Sequence, residues 1–205
     1  MKKIILIVLV LAMALSMVAC GNNNNADNGN NDAVVDDTNN NENNVEETPA
    51  EPLAALDVLN AAWEKYTEDE KVYFMGGDYD NFTQGPGVFN HENAEYLAGL
   101  LIVPADAVQY ISETASLLHN MNLNSFTCGS YVIEDAANVD TFVSLMTDAI
   151  KNNQWMCGFP EVLSVVKVGE NNVVITFGNT DLVNLIETRL VEVYPDAVTT
   201  QEPLV

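Results

Sequence analysis

Basic residues are scarce in this chain: seven Lys and Arg stand against 30 Asp and Glu, which gives a formal net charge of −23 over 205 residues. From residue 51 onward there are 23 acids and five bases. Surfaces that bind phosphate or nucleic acid need clustered Lys and Arg, so we predict no nucleic-acid partner. The acidic balance predicts a solvated, self-repelling surface, and a cationic partner is the alternative.

Histidine and cysteine are also rare, with two His and three Cys. The chain has no CxxC, G-x-S-x-G or H-E-x-x-H motif, so neither a redox or zinc site nor a familiar hydrolase site is indicated. We expect His119 to be a satisfied core histidine. Cys128 and Cys157 are predicted to be buried thiols, with a disulfide between them as the alternative. The sequence therefore predicts no catalytic residue and no cofactor.

A long apolar run occurs at residues 4–15, after two lysines. Residues 4–19 would make about 24 Å of helix, whereas a membrane span needs about 20 apolar residues. Residues 1–19 are therefore predicted to be a signal peptide, with a retained transmembrane helix as the alternative.

The run ends in Leu15-Ser16-Met17-Val18-Ala19-Cys20, which resembles the lipobox of bacterial lipoproteins. Met17 stands where that family usually has Leu, and Gly21 fits the pattern. The resemblance implies that Cys20 carries a diacylglyceryl group, and two acyl chains anchor a protein stably. The expected location is the extracytoplasmic face of the bacterial membrane, with the bilayer as the partner of the lipid on Cys20.

Residues 20–50 are predicted to be a disordered linker. Half of the 24 residues 21–44 are Asn, and such a segment buries too little apolar surface to offset its ordering entropy. As a flexible coil, residues 21–51 would reach about 30 Å. Residues 51–205 are long enough for one self-sufficient core, so we expect a single globular domain there.

Hydrophobic periodicity divides this domain into helices and hairpins. The predicted helices cover residues 53–66, 92–103, 138–152 and 181–194, and the predicted strands cover residues 114–121, 126–134, 162–168 and 173–178. Glycines make residues 75–90 irregular, and residues 107–118 also fit a helix. We therefore predict an α+β fold in which an antiparallel sheet of about four strands, in the order ββαββα, carries its helices on one face and follows a helical N-terminal region.

This layout, together with the stretch Asn153-Gln154-Trp155-Met156-Cys157-Gly158-Phe159-Pro160, resembles uncharacterised clostridial-type lipoproteins that carry a domain of unknown function. The resemblance implies no activity.

The apolar loop 155–160 is predicted to plug the open end of the core. Its alternative role is the rim of a binding groove, with Trp155 and Phe159 as the contacts.

Asp78 and Asp80 begin a loop like that of a calcium site, but Phe82 and Thr83 stand where an oxygen ligand and a sharp-turn glycine are needed. We therefore predict no metal, and Asp78 and Asp80 are the ligands to test for one.

The sequence favours a membrane-anchored, non-catalytic module that binds a ligand or partner of unknown specificity. The alternatives are a cell-wall or glycan hydrolase that uses carboxylates, and an accessory subunit of a membrane transporter or envelope complex.

Overall fold

The computed structural model describes residues 52–71 and 73–205. The predicted signal peptide, the lipidation site Cys20 and the linker of residues 20–50 lie outside the described residues. Among the described residues, no helix has both the length and the apolarity required to cross a membrane.

The described chain is an α+β fold with four helices and an eight-stranded antiparallel sheet. The helices are α1 (Ala55–Trp63), α2 (Ala94–Leu101), α3 (Val139–Lys151) and α4 (Thr180–Val193). The strands are β1 (Phe74–Gly76), β2 (Thr83–Gln84), β3 (Gly87–Phe89), β4 (Ile111–His119), β5 (Phe126–Ile133), β6 (Val162–Val168), β7 (Asn172–Gly178) and β8 (Val198–Pro203). The predicted α+β class is confirmed, and the predicted ββαββα order is found from β4 to α4.

The two predicted hairpins form the centre of the sheet. The strand order is β2-β1-β4-β5-β7-β6-β8, and β3 pairs with the same edge of β4 as β1 does. The helical alternative for residues 107–118 is wrong, because the chain is extended from Ile111 and only Val108–Tyr110 forms a 3-10 turn. The four additional strands are short or lie at the edges. β1 to β3 have two or three residues each, so they are too short to show the alternation that marks a strand.

The prediction that the helices pack on one face of the sheet is wrong. Helices α2 and α3 cover one face, and α1 and α4 cover the other. Adjacent residues of one strand supply the two cores: Tyr131 lies in the first and Val132 in the second. Every position of β5 and β7 is buried, which is the pattern of strands covered on both faces.

Helix α4 begins at a cap supplied from outside its own segment. Asn179 occupies the N-cap position, but its side chain makes no capping bond. Instead a carboxylate oxygen of Glu161 accepts from the Thr180 amide at 2.9 Å and from the Thr180 hydroxyl at 2.7 Å. These hydrogen bonds hold the pKa of Glu161 below its ordinary value. The two bonds join the loop before β6 to the start of α4.

One end of the sheet fixes the first described residues of the chain. The buried amide of Asn172 donates to the carbonyl of Leu53 at 2.6 Å and accepts from the Leu53 amide at 3.1 Å. A carboxylate oxygen of Glu113 accepts from the Ala55 amide at 3.1 Å, at the start of α1. We call this group, Leu53, Ala55, Glu113 and Asn172, the clamped end.

Candidate functional site

The opposite end of the sheet consists of two segments without any charged residue. Asn172 begins β7 at the clamped end and Gly178 ends it, about 20 Å away at roughly 3.3 Å per residue. Gly178 pairs with Phe126 on β5 and with Val162 on β6. The segments next to these partners, residues 120–127 and 152–160, contain no Asp, Glu, Lys or Arg. We call these two segments the uncharged end.

Three large apolar side chains project into solvent from the uncharged end. Met121 is 81% exposed, Met156 79% and Phe159 68%. Scattered exposed apolar residues are ordinary on protein surfaces, but a group of them without intervening charges is a mark of an interaction site.

Two asparagine side chains hold the segments together. The Asn124 amide nitrogen donates to the carbonyl oxygens of Met156 at 2.7 Å and Gly158 at 3.0 Å. Asn122 donates to the carbonyl of Cys157 at 3.5 Å. Because these bonds run to backbone atoms, they fix the course of the loop and leave the side chains of Met156 and Phe159 pointing outward.

A cleft of about 160 Å³ lies between the end of α2 and the uncharged end. Its lining contains no charged residue and comprises Gly99, Leu100, Ile102, Leu123, Asn124, Thr127, Asn153, Gln154, Trp155, Met156 and Phe177. The ring of Trp155 lies 5.3 Å from that of Phe177, centroid to centroid, and is half-buried against the core. The two predicted contacts are therefore different in kind: Trp155 supports the cleft from the core side, and Phe159 is exposed beside it.

Backbone strain is concentrated at this cleft. Among the described residues, Ile102 and Cys157 are the non-glycine residues with positive φ, at 56° and 65°. Ile102 is the residue directly after α2 and lines the cleft, and Cys157 follows Met156 in the loop. A β-branched residue in this conformation is costly, and such strain is found preferentially at functional sites.

His119 organises the turn that carries Met121. Its Nδ1 accepts from the amides of Met121 at 3.2 Å and Asn122 at 3.3 Å. Its ring stacks on Tyr73 at 5.9 Å with an interplanar angle of 11°. Burial lowers the pKa of His119, so the neutral form that accepts these bonds is favoured. The histidine is satisfied as predicted, although it is half-buried and not part of the core.

The two described cysteines are not paired with each other. Cys128 is buried on β5 and Cys157 is exposed in the loop, so the disulfide alternative is wrong and so is the expectation that Cys157 is buried. Burial raises the pKa of the Cys128 thiol to about 12. Cys128 is therefore an inert part of the core.

The structure gives Asp78 a bracing role. Asp78 is buried, and its two carboxylate oxygens accept from the amides of Asp80 at 3.0 Å and Asn90 at 2.8 Å. Asp80 is exposed nearby. In the described part of the chain, no three His, Cys, Asp or Glu side chains are grouped as metal ligands would be.

The acidic pair Glu134 and Asp135 is also exposed, and Asp135 accepts from the Ala137 amide at 2.9 Å.

Sequence reasoning missed Met121, Met156, Asn122 and Asn124. The signal that was available is the absence of charge from residues 120–133 and 152–160 in a strongly acidic chain. What the sequence could not supply is the pairing of Phe126 and Val162 with Gly178, which brings the two segments together. No protein-family model, curated protein or solved structure matches the chain.

Proposed function

We propose that this chain is a non-catalytic binding module, anchored to the extracytoplasmic face of the membrane through Cys20, and that it binds a protein partner with its uncharged end. The observation that carries the proposal is the exposure of Met121, Met156 and Phe159 on two hydrogen-bonded segments that lack charge. The cores of protein interfaces are enriched in Met and aromatic residues and depleted in Asp, Glu and Lys. The composition of this end matches that description, in contrast to the acidic remainder of the domain.

The size of the cleft favours a protein partner over a small-molecule ligand. Pockets for drug-sized ligands measure about 300–1,000 Å³, whereas this cleft measures about 160 Å³. A cleft of this size suits one apolar anchor side chain of a partner, and anchors in desolvated pockets carry most of the free energy of protein binding. Methionine is flexible and polarizable, so Met121 and Met156 can adapt to the surface around that anchor.

The position of the uncharged end supports the same proposal. It lies at the far end of β7 from Leu53, which is the second described residue of the chain. In a module that is tethered through its N-terminal side, the uncharged end and the residues that follow the tether are therefore at opposite ends of β7. An envelope complex or a membrane transporter is the kind of assembly whose extracytoplasmic part would be within reach of the predicted linker.

In-cell photocrosslinking tests the proposal. A benzophenone amino acid at position 159 of the full-length chain should give one discrete crosslinked product, and Met156→Asp in the same chain should remove it. The matched control carries the benzophenone at Val198, which is 63% exposed but lies on β8. Equal products from positions 159 and 198, or a product that survives Met156→Asp, would contradict the proposal.

The membrane part of the proposal needs its own variant. Cys20→Ala should leave the chain unprocessed or release it from the membrane, as expected when the lipid is the anchor. A processed Cys20→Ala chain that remains in the membrane fraction would refute lipidation, and it would leave the crosslinking result at position 159 to be judged separately.

A further inference from the structure

A second surface of the domain is a short loop that is held rigidly at its base. The chain leaves β1 at Gly76 and returns as β3 at Gly87, and both strands lie along the same edge of β4. We call residues 77–86 the side loop. A Cβ on Gly76 would lie 2.3–2.4 Å from backbone atoms of Gly85, Gly87 and Ser116, so the two strands can approach this closely only with glycine there.

Buried hydrogen bonds add to this base. The Ser116 hydroxyl accepts from the Gly77 amide at 2.9 Å and donates to the Gly77 carbonyl at 2.7 Å. Asp78 accepts from two amides, as described above, and its own carbonyl accepts from the Asn81 amide at 3.1 Å. The tip of the side loop is therefore fixed in place although its side chains are exposed.

Three aromatic rings meet at this tip. Tyr79 lies 5.1 Å from Tyr96 on α2 and 6.0 Å from Phe82, with interplanar angles of 75° and 78°. Tyr79 is 55% exposed, Phe82 is 43% exposed and Tyr96 is half-buried. The Tyr96 hydroxyl donates to a carboxylate oxygen of Asp80 at 3.4 Å. Rings held nearly perpendicular to one another present both faces and edges to the same region of solvent.

The electrostatic environment of these rings is negative. No Lys or Arg occurs between Lys71 and Lys151, the stretch that supplies the whole cluster. In the described part of the chain, Lys71, Lys151, Lys167 and Arg189 each form an ion pair with an acid outside the cluster. The pKa of Tyr96 is raised, and desolvation is the largest cause. The negative charges of Asp80, Asp78 and Glu95 raise it further.

We infer that Tyr79, Phe82, Tyr96 and Asp80 bind a soluble organic cation with an alkylated ammonium group. Ring faces attract cations through their quadrupole, and a carboxylate beside the rings adds a charge of the required sign. A primary ammonium is strongly hydrated and needs hydrogen-bond acceptors. A methylated ammonium has little hydrogen-bonding capacity to lose, so it gains more from aromatic faces. The four residues of this site lie outside the two segments of the uncharged end, and the inference does not depend on the function proposed for that end.

Titration with choline, followed by amide NMR shifts of the soluble chain that begins at Gly21, tests this inference. Sodium chloride at equal ionic strength corrects for screening. Choline should produce saturating shifts at Tyr79, Phe82 and Tyr96. Its uncharged isostere 3,3-dimethylbutan-1-ol should bind at least about tenfold more weakly, because it has the same shape but cannot make the cation–π contact.

Two variants and one control complete the test. Tyr79→Ala and Asp80→Asn should each weaken choline binding severalfold, and their exposed positions should leave the melting temperature nearly unchanged. Tyr73→Ala is the matched control, because Tyr73 is also 55% exposed but stacks on His119. The inference is overturned if choline gives no saturating shift, if the isostere binds equally well, or if Tyr73→Ala weakens binding as much as Tyr79→Ala.

Discussion

The two ends of the central strands use their side chains in opposite ways. At the clamped end, the side chains of Asn172 and Glu113 bond to the backbone of Leu53 and Ala55 and so hold the start of the domain. At the uncharged end, Met121, Met156 and Phe159 extend into solvent. The side chains at the clamped end have hydrogen-bond partners within the chain. The exposed side chains at the uncharged end make no such bonds, and the asparagine side chains fix the backbone that carries Met156 and Phe159. The difference agrees with the proposal that one end serves stability and the other binds a partner.

Asparagine performs the same physical task at both ends. A primary amide can donate to a carbonyl and accept from an amide without introducing charge. Asn172 does both with Leu53, while Asn124 donates to Met156 and Gly158. Substitutions at the two ends should therefore separate residues that hold the backbone from those that we propose bind a partner.

Trp155→Ala should produce the largest loss of stability at the uncharged end. Trp155 packs on Phe177 and is half-buried, so we expect a loss of about 2–3 kcal/mol, at or below the range for truncating a fully buried aromatic residue. Urea denaturation of the soluble chain that begins at Gly21 measures it. Phe159→Ala is the control and should change the free energy of unfolding by less than about 0.5 kcal/mol. Equal losses would mean that both residues belong to the core.

Asn172→Ala should loosen the clamped end. The substitution removes two hydrogen bonds to the backbone of Leu53, so the expected loss is about 1–2 kcal/mol. Hydrogen exchange should also increase at the amides of α1. Asn81→Ala, at an exposed position of the side loop, provides the matched control and should have no such effect. If Asn172→Ala leaves both the stability and the exchange of α1 unchanged, Asn172 is not a clamp.

The turn at His119 should be sensitive to acid. Its pKa lies below the ordinary value of 6.5, so the unfolded chain binds the proton more readily than the folded chain. The stabilising contribution is therefore present above pH 6.5 and is lost as the pH falls through the lower folded pKa. Melting temperatures of the wild type and His119→Gln should differ by less at pH 5.5 than at pH 7.5. A difference that stays constant with pH would show that protonation of His119 is not linked to folding.

Cys157→Gly should give a small gain in stability. Cys157 is exposed and has a φ of 65°, a conformation that glycine adopts without a steric penalty. Relief of this strain should stabilise the chain by up to about 1 kcal/mol, reduced by the extra freedom that glycine has in the unfolded chain. Thermal unfolding measures the change, with Cys157→Ser as the control that keeps the strain. A loss of stability in Cys157→Gly larger than that in Cys157→Ser would rule out strain at this position.

Periodicity was sufficient to predict β4 to β7 and the four helices, because each of these elements is long enough to show its pattern. It was not sufficient for β1 to β3, whose position depends on the close approach of Gly76 to Gly87 at one edge of β4. The two-sided packing was visible in the continuous apolar run Val173-Val174-Ile175, which is typical of a strand covered on both faces. The loop 155–160 was identified as unusual, but which of its side chains are buried depends on its hydrogen bonds to Asn124.

The most direct test of the difference between the two ends is the free energy of unfolding of the triple variant Met121→Ser, Met156→Ser and Phe159→Ser. Urea denaturation of the soluble chain should show a change of at most about 1 kcal/mol, because exposed substitutions away from caps and cores have small effects. This result would show that the three exposed side chains are not needed for the fold. A loss of about 3 kcal/mol or more would show that they stabilise the domain, and it would contradict the assignment of the uncharged end to binding.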